Sequence, residues 1–193
     1  MITLTINGKK IQAKEGQTII SAALANGIDI PHLCHEERLA PVGACRLCQV
    51  FLEGENREPV LACSTKVAEG LNVLTESKEL SSRRKAVLEL LLSEHRVACT
   101  SCDADGDCSL QDYAYRYGAD EAFFGAYQHK EKPVPNYTSE NFGIEYDVEK
   151  CIRCGRCVRY CQEVQGVTAL TFDGRGIDMK INTAHGRALH RSD

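Results

Sequence analysis

The chain has 193 residues, enough for one ordinary domain or for two or three small ones held together by something other than a large core. Its net charge of −4, with 26% charged residues, leaves no basic footprint for nucleic acid. No apolar run approaches the roughly 18 residues needed to span a bilayer, so direct membrane insertion is not expected.

Eleven cysteines are the dominant compositional feature. The count is odd, and Met1–Ile6 runs straight into Asn7–Gly8 with no basic or apolar leader. A cytoplasmic location is therefore expected, where many cysteines signal metal or redox chemistry rather than disulfides.

In chain order, Ile2, Leu4 and Ile6 alternate with polar residues, Asn7–Gly8 supplies a type I′ turn, and Lys9 to Ala13 returns as the second strand of a hairpin. Thr18 caps a helix with Ile19, Ile20, Ala23 and Leu24 on one face and Gly27 at its stop. Gln49 to Glu53, Arg57 to Ala62 and Leu71 to Thr75 read as short strands around the Gly54–Glu55–Asn56 turn. The sum is a small α+β sheet crossed by one helix. Cys34, Cys45, Cys48 and Cys63 lie on its loops, and Gly43 would let the backbone approach a metal centre and present N–H groups to its sulfurs. A zinc ribbon could use the same four thiolates. His32 and His35 flank Cys34 and are read as surface histidines with solvated rings.

Ser82 to Glu94 carries Val87, Leu88, Leu91 and Leu92 on a helical stripe, opened by a capping serine and Arg83–Arg84–Lys85. His95, Cys99, Cys102 and Cys108 follow in the spacing H-x3-C-x2-C-x5-C, a closed four-ligand set that by donor type alone would suit zinc. Ser109 caps a further helix with Leu110, Tyr113, Ala114 and Tyr117 on one face, where the tyrosines read as packing. His129 to Tyr137, with Pro133 and Pro135, is a stiff connector. Phe142, Ile144, Tyr146 and Val148 alternate into a strand that delivers Cys151.

Cys151, Cys154, Cys157 and Cys161 form C-x2-C-x2-C-x3-C, the spacing of a [4Fe–4S] cluster loop in which the fourth cysteine usually serves a neighbouring cluster. Arg153, Arg156 and Arg159 crowd the same loop and read as compensation for an anionic cluster. Thr168 to Phe172 and Ile177 to Ile181 then give a hairpin around Gly174. Gly174–Arg175–Gly176 lacks the third glycine of a phosphate-binding loop, so no nucleotide is placed on the chain.

The three cysteine groups, in this order, resemble one family. The first resembles the β-grasp [2Fe–2S] ferredoxin domain, with ten residues between Cys34 and Cys45 in place of the four of the plant type, a wider form similar to that of the large iron–sulfur subunit of complex I. The second, lying between a ferredoxin domain and the Cys151 motif, resembles the histidine-ligated [4Fe–4S] cluster of complex I, NAD-linked formate dehydrogenases and [FeFe] hydrogenases. The third resembles half of a bacterial-type two-cluster ferredoxin, and the string from Cys157 to Gly166 looks most like formate dehydrogenase and complex I relatives; Gln162 stands where a proline often follows the fourth cysteine.

The resemblance implies an α+β chain of three segments. These are a [2Fe–2S] ferredoxin-like domain at 1–77, a small helical [4Fe–4S] domain with one histidine and three cysteine ligands at 78–128, and an incomplete [4Fe–4S] ferredoxin-like domain at 129–193. It implies Cys34, Cys45, Cys48 and Cys63 as [2Fe–2S] ligands, His95, Cys99, Cys102 and Cys108 as ligands of one [4Fe–4S] cluster, and Cys151, Cys154 and Cys157 as ligands of another. Cys161 belongs to the same cluster or to a neighbour, and three explanations stand: the chain continues beyond Asp193, a short form uses Cys161 for its own cube, or a partner completes the site. The implied function is electron relay between a flavin subunit that handles NAD(H) and a catalytic subunit or domain of formate dehydrogenase or hydrogenase type, with no catalytic site in these residues. A zinc-stabilised interaction module and the relay arm of an electron-bifurcating complex are the alternatives.

Overall fold

A computed structural model describes residues 1–54, 58–120, 146–186, 188 and 189. The expected connector at 129–137, the residues Phe142 and Ile144, and the tip Glu55–Asn56 lie outside the described residues. By packing, the chain forms two compact units, Met1–Glu37 with Pro41–Leu88 and Ser109–Ala119, and Arg38–Ala40 with Glu89–Cys108 and Asp120–Asp193.

In the first unit β1 (Ile2–Ile6) and β2 (Lys9–Ala13) pair antiparallel, from Ile2 opposite Ala13 to Ile6 opposite Lys9. Asn7 and Gly8 both hold positive φ, 51° and 77°, as a type I′ turn requires. α1 (Ile19–Ala25) is capped by Thr18, whose hydroxyl accepts from the Ser21 N–H at 3.3 Å. β3 (Gln49–Leu52), β4 (Val60–Leu61) and β5 (Asn72–Leu74) complete a sheet of order β2-β1-β5-β3-β4. β1 and β5 run parallel and the other pairs antiparallel. Alternation sends Leu4, Ile6 and Ile11 to the face that α1 covers, and Ile19, Ile20 and Val50 meet them in the core. Cys48 and Cys63 belong to that same cluster of buried residues, so two of the expected ligands are built into the hydrophobic core of the unit.

α2 (Lys78–Leu92) starts earlier than the sequence suggests. Its cap is Ser77, whose hydroxyl accepts from the Leu80 N–H at 3.1 Å, because several serines in this stretch could each have played that part. α3 (Ser109–Tyr117) buries Leu110. Tyr113 and Tyr117 are half-buried and hydrogen-bonded rather than core: the Tyr113 hydroxyl accepts from the His32 N–H at 3.4 Å, and Tyr117 joins a polar network around Arg84.

The second unit holds α4 (Arg156–Glu163) and a hairpin of β6 (Leu170–Asp173) with β7 (Lys180–Thr183), in register from Leu170 opposite Thr183 to Asp173 opposite Lys180. Tyr146 and Val148 do not continue a strand. Residues 148–150 turn into the Cys151 loop, and the Tyr146 hydroxyl accepts from the Ile181 N–H at 3.1 Å. Among the described residues no helix is long and apolar enough to cross a membrane.

Candidate functional site

The first cysteine group is set in buried loops of the sheet unit. Cys34, Cys48 and Cys63 are each 1% exposed and Cys45 is 9% exposed, and all eleven cysteines of the chain are free of disulfides. The four thiols meet as two hydrogen-bonded pairs, Cys34 with Cys45 and Cys48 with Cys63. The bond from Cys34 holds the Cys45 thiol well below its usual range, and backbone N–H groups of Leu47, Leu33 and Cys34 add to this against burial. Likewise the bond from Cys48 lowers Cys63, helped by the Gly43 N–H, while Cys34 and Cys48 are pushed up by the same bonds and by burial.

Backbone geometry explains the donors. Gly43 (φ 62°) and Arg46 (φ 56°) take left-handed conformations that turn successive N–H groups inward, and the Leu33 and Cys45 N–H groups reach Cys45 Sγ and Cys34 Sγ at 3.4 and 3.5 Å. A Cβ on Gly43 would fall 2.8 Å from Leu61 Cδ1. Four buried sulfurs in two pairs under converging N–H donors suit anionic thiolates, whose burial needs both cations and hydrogen bonds. This donor set fits a [2Fe–2S] cluster, which these four cysteines would hold.

His32 and His35 are not solvated surface rings. Both are half-buried and pack edge to face at 5.4 Å, and His32 Nδ1 lies 2.7 Å from the Ile30 carbonyl. That bond directs the His32 ring to the backbone.

The second group lies in the second unit, from the end of α2 to the start of α3. His95 closes the helix, donating its N–H to the Leu92 carbonyl at 3.1 Å. Its Nδ1 is buried and has no hydrogen-bond partner among the described residues. Burial lowers the His95 pKa against the opposing pull of Asp147, which keeps the ring in the neutral form that binds metals. An orphaned buried nitrogen on a neutral ring fits a ligand role. Cys99 opens a 3-10 turn, the Cys102 N–H returns to its carbonyl at 2.9 Å, the Asp105 N–H returns to the Cys102 carbonyl at 3.0 Å, and Cys108 directly precedes α3. The three thiols thus ride on consecutive tight turns.

The residues on either side of His95 tie it to the third group within the same unit. Arg96 donates its N–H to the Glu149 carbonyl at 2.9 Å and pairs with Glu149 and Asp147 carboxylates at 2.9 and 2.8 Å. Glu94 pairs with Arg153 at 3.1 Å. Arg153 also donates to the Ile177 carbonyl, and Arg159 donates to the Ala40 carbonyl at 2.8 Å. These two arginines therefore fasten chain segments, beyond the charge compensation expected of them.

In the third group Arg153 (φ 55°) and Gly155 (φ 70°) fold the loop, and the Arg153 N–H reaches Cys151 Sγ at 3.4 Å. Partial burial pushes the Cys157 thiol up. The Val158 N–H opposes that shift, and the neighbouring Cys151 and Cys154 add to it. Cys161 follows one turn later on α4. Among the described residues no three His, Cys, Asp or Glu side chains close around a point that would hold a single metal ion.

Sequence reasoning missed Arg84, which is buried on α2, and the Arg96 clamp. The signal for Arg84 was its place four residues after Leu80 and four before Leu88, on the stripe that also buries Leu92.

Three family models match: a 2Fe-2S iron-sulfur cluster binding domain at residues 1–78, the NADH-ubiquinone oxidoreductase-G iron-sulfur binding region at 84–122, and the NADH-quinone oxidoreductase subunit 3 ferredoxin-like domain at 143–192. Their domains carry [2Fe–2S] and [4Fe–4S] clusters, which are thus the cofactors of this chain. The chain is 39% identical over 190 residues to the NADPH-Fe(3+) oxidoreductase subunit alpha of Geobacter sulfurreducens, covering 98% of this chain and 22% of the relative. It is 36% identical over 185 residues to the NADH-ubiquinone oxidoreductase 75 kDa subunit of Reclinomonas americana, covering 95% and 26%. The chain therefore spans about a quarter of the length of these curated relatives. A crystal structure of NAD+-reducing [NiFe]-hydrogenase in the H2-reduced state superimposes with a TM-score of 0.83 at 32% identity, over 99% of this chain and 79% of that one.

Proposed function

Because the chain belongs to the family of iron–sulfur regions shared by NADH-quinone oxidoreductases and NAD-linked hydrogenases, we propose that it relays single electrons between a flavin subunit that handles NAD(H) and a catalytic subunit or domain. The observation that carries this reading is the pair of buried thiol pairs, Cys34 with Cys45 and Cys48 with Cys63, bedded among backbone N–H donors.

In this reading Cys34, Cys45, Cys48 and Cys63 hold the [2Fe–2S] cluster. His95, Cys99, Cys102 and Cys108 hold one [4Fe–4S] cluster, and Cys151, Cys154 and Cys157 hold another, with Cys161 on the same or a neighbouring one. Residues 1–77, 78–128 and 129–193 are the segments that carry them. When bound, the clusters supply one-electron redox chemistry over a family range of roughly −700 to +450 mV. The chain supplies the rest: thiolates and one imidazole as ligands, N–H groups aimed at sulfur, and apolar packing that excludes water. Replacing a thiolate by neutral His95 removes a negative charge and favours the reduced state there. Free thiols in such number fit the cytoplasm, and the terminal centre would be of hydrogenase or formate dehydrogenase type.

Iron and acid-labile sulfide analysis on anaerobically purified protein, with absorption and electron paramagnetic resonance spectra, tests the reading. A [2Fe–2S] signal that Cys48→Ser abolishes supports it. A colourless protein with zinc and no sulfide overturns it in favour of an interaction module.

A further inference from the structure

On α2 the side chains of Leu80, Arg84, Leu88 and Leu92 follow one another at four-residue intervals and all are buried, so a guanidinium occupies a place where its helix otherwise buries leucine. Arg84 is 0% exposed. Its Nε donates to the Leu47 carbonyl at 3.0 Å, and its Nη2 donates to the Gln49 and Thr75 carbonyls, each at 2.8 Å. Nη1 reaches the Tyr117 hydroxyl and the Glu76 carboxylate, both at 3.1 Å. Burying such a charge is expensive, and a well-packed apolar residue commonly serves stability as well or better. What the charge gains is position: Leu47 and Gln49 are the residues on either side of Cys48, itself 1% exposed.

We propose that Arg84 is a positioning residue for the cluster held by Cys34, Cys45, Cys48 and Cys63, fixing Cys48 through the carbonyls that flank it and raising the reduction potential of that cluster. The proposal rests on the ligand reading given above. Reduction adds one electron, taken from a one-electron carrier of the relay, and neither makes nor breaks a bond. The added negative charge is favoured by a permanent cation held in a poorly screened interior. Glu76 offsets part of that field, because its 41% exposed carboxylate pairs with Arg84 and with Arg116 at 3.0 Å.

The test is an anaerobic redox titration of the full chain followed by electron paramagnetic resonance, with iron and sulfide counts, on wild type, Arg84→Met, Arg84→Lys and Glu76→Gln. Arg84→Met is expected to lower the [2Fe–2S] midpoint, Arg84→Lys to restore most of it by returning the charge without the planar fork, and Glu76→Gln to raise it. The [4Fe–4S] midpoints serve as controls and stay where they are. A residue that only holds the fold would change cluster content or thermal stability and leave the midpoint of the bound cluster alone. A normal signal with an unmoved midpoint in Arg84→Met overturns the proposal, and where that variant does not retain its cluster an unmoved midpoint in Glu76→Gln does so. A wild-type chain with no [2Fe–2S] signal overturns the ligand reading and this proposal with it.

Discussion

Replacing Gly155 by alanine probes the Cys151 loop at its tightest point. Gly155 sits between Cys154 and Cys157 with φ 70°, at the N-cap of α4, and the neighbouring Arg153 already holds φ 55° without being glycine. The left-handed conformation adds about 1–2 kcal/mol for a residue with a Cβ. That Cβ would also fall 2.8 Å from Phe172 Cζ. Phe172 is 43% exposed, so its ring can swing aside at a further cost of about 0.5–1.5 kcal/mol for leaving its rotamer. The total, about 2 kcal/mol, corresponds to roughly a 30-fold rise in the opening equilibrium of the loop.

The assay is the rate of iron release to excess chelator under anaerobic conditions, reading the phase that Cys151→Ser removes. If release proceeds through loop opening, Gly155→Ala should speed that phase about 30-fold, since opening enters the rate directly. Adding Phe172→Ala removes the ring contact but not the backbone strain, and should bring the acceleration back to roughly 10-fold. A Gly155→Ala protein that releases this iron at the wild-type rate would refute the reasoning. A double variant no slower than the single one would refute the part assigned to Phe172.

Other outcomes follow from the same sites. His95→Cys places a thiolate where a neutral ring stood, so redox titration should show one [4Fe–4S] potential falling; no change in any cluster would remove His95 from the ligand set. Cys161→Ala should leave the iron of the Cys151 cube in place by the two-cluster pattern, and an iron count short by one cube would assign Cys161 to that cube. Arg96→Met loses its pairs with Asp147 and Glu149; because the guanidinium is 35% exposed, the loss is about 1 kcal/mol after screening. Urea denaturation at low and high salt measures it, and a difference that does not shrink with salt would mean that the ion pairs contribute nothing.

Much of the sheet unit was legible because its signals are local. Asn7–Gly8 sets the hairpin turn, Thr18 caps α1, and the alternation of Ile2, Leu4 and Ile6 names the core face. The cysteine spacings are sequence signals too, and the cluster types they announced, [2Fe–2S] and [4Fe–4S], are those of the family models that match these stretches. The structure sets the first group as two thiol pairs, and in the third it brings the Arg153 N–H to Cys151 Sγ at 3.4 Å. Where local signals compete, the reading drifted. Ser77 took the cap of α2, and Tyr146 and Val148, which alternate like a strand, turn instead because the chain must bend into the Cys151 loop.

The residues that escaped are the ones whose role is fixed by distant acceptors. Arg83–Arg84–Lys85 opens the helix expected from the sequence, yet Arg84 is buried by carbonyls 9, 35 and 37 positions away. Arg96 likewise finds its carboxylates 51 and 53 positions on. A guanidinium has five donors in a rigid fork, so it is soluble in the interior only where several acceptors converge, and convergence is a property of the fold. The division has a functional side. Spacing of thiolates determines which cluster a loop can hold, whereas the potential of a cluster also answers to charges and hydrogen bonds brought in from elsewhere in the chain. Two chains with the same cysteine pattern can therefore run electrons over different potentials, and the buried arginine behind Cys48 is where this one would set its own.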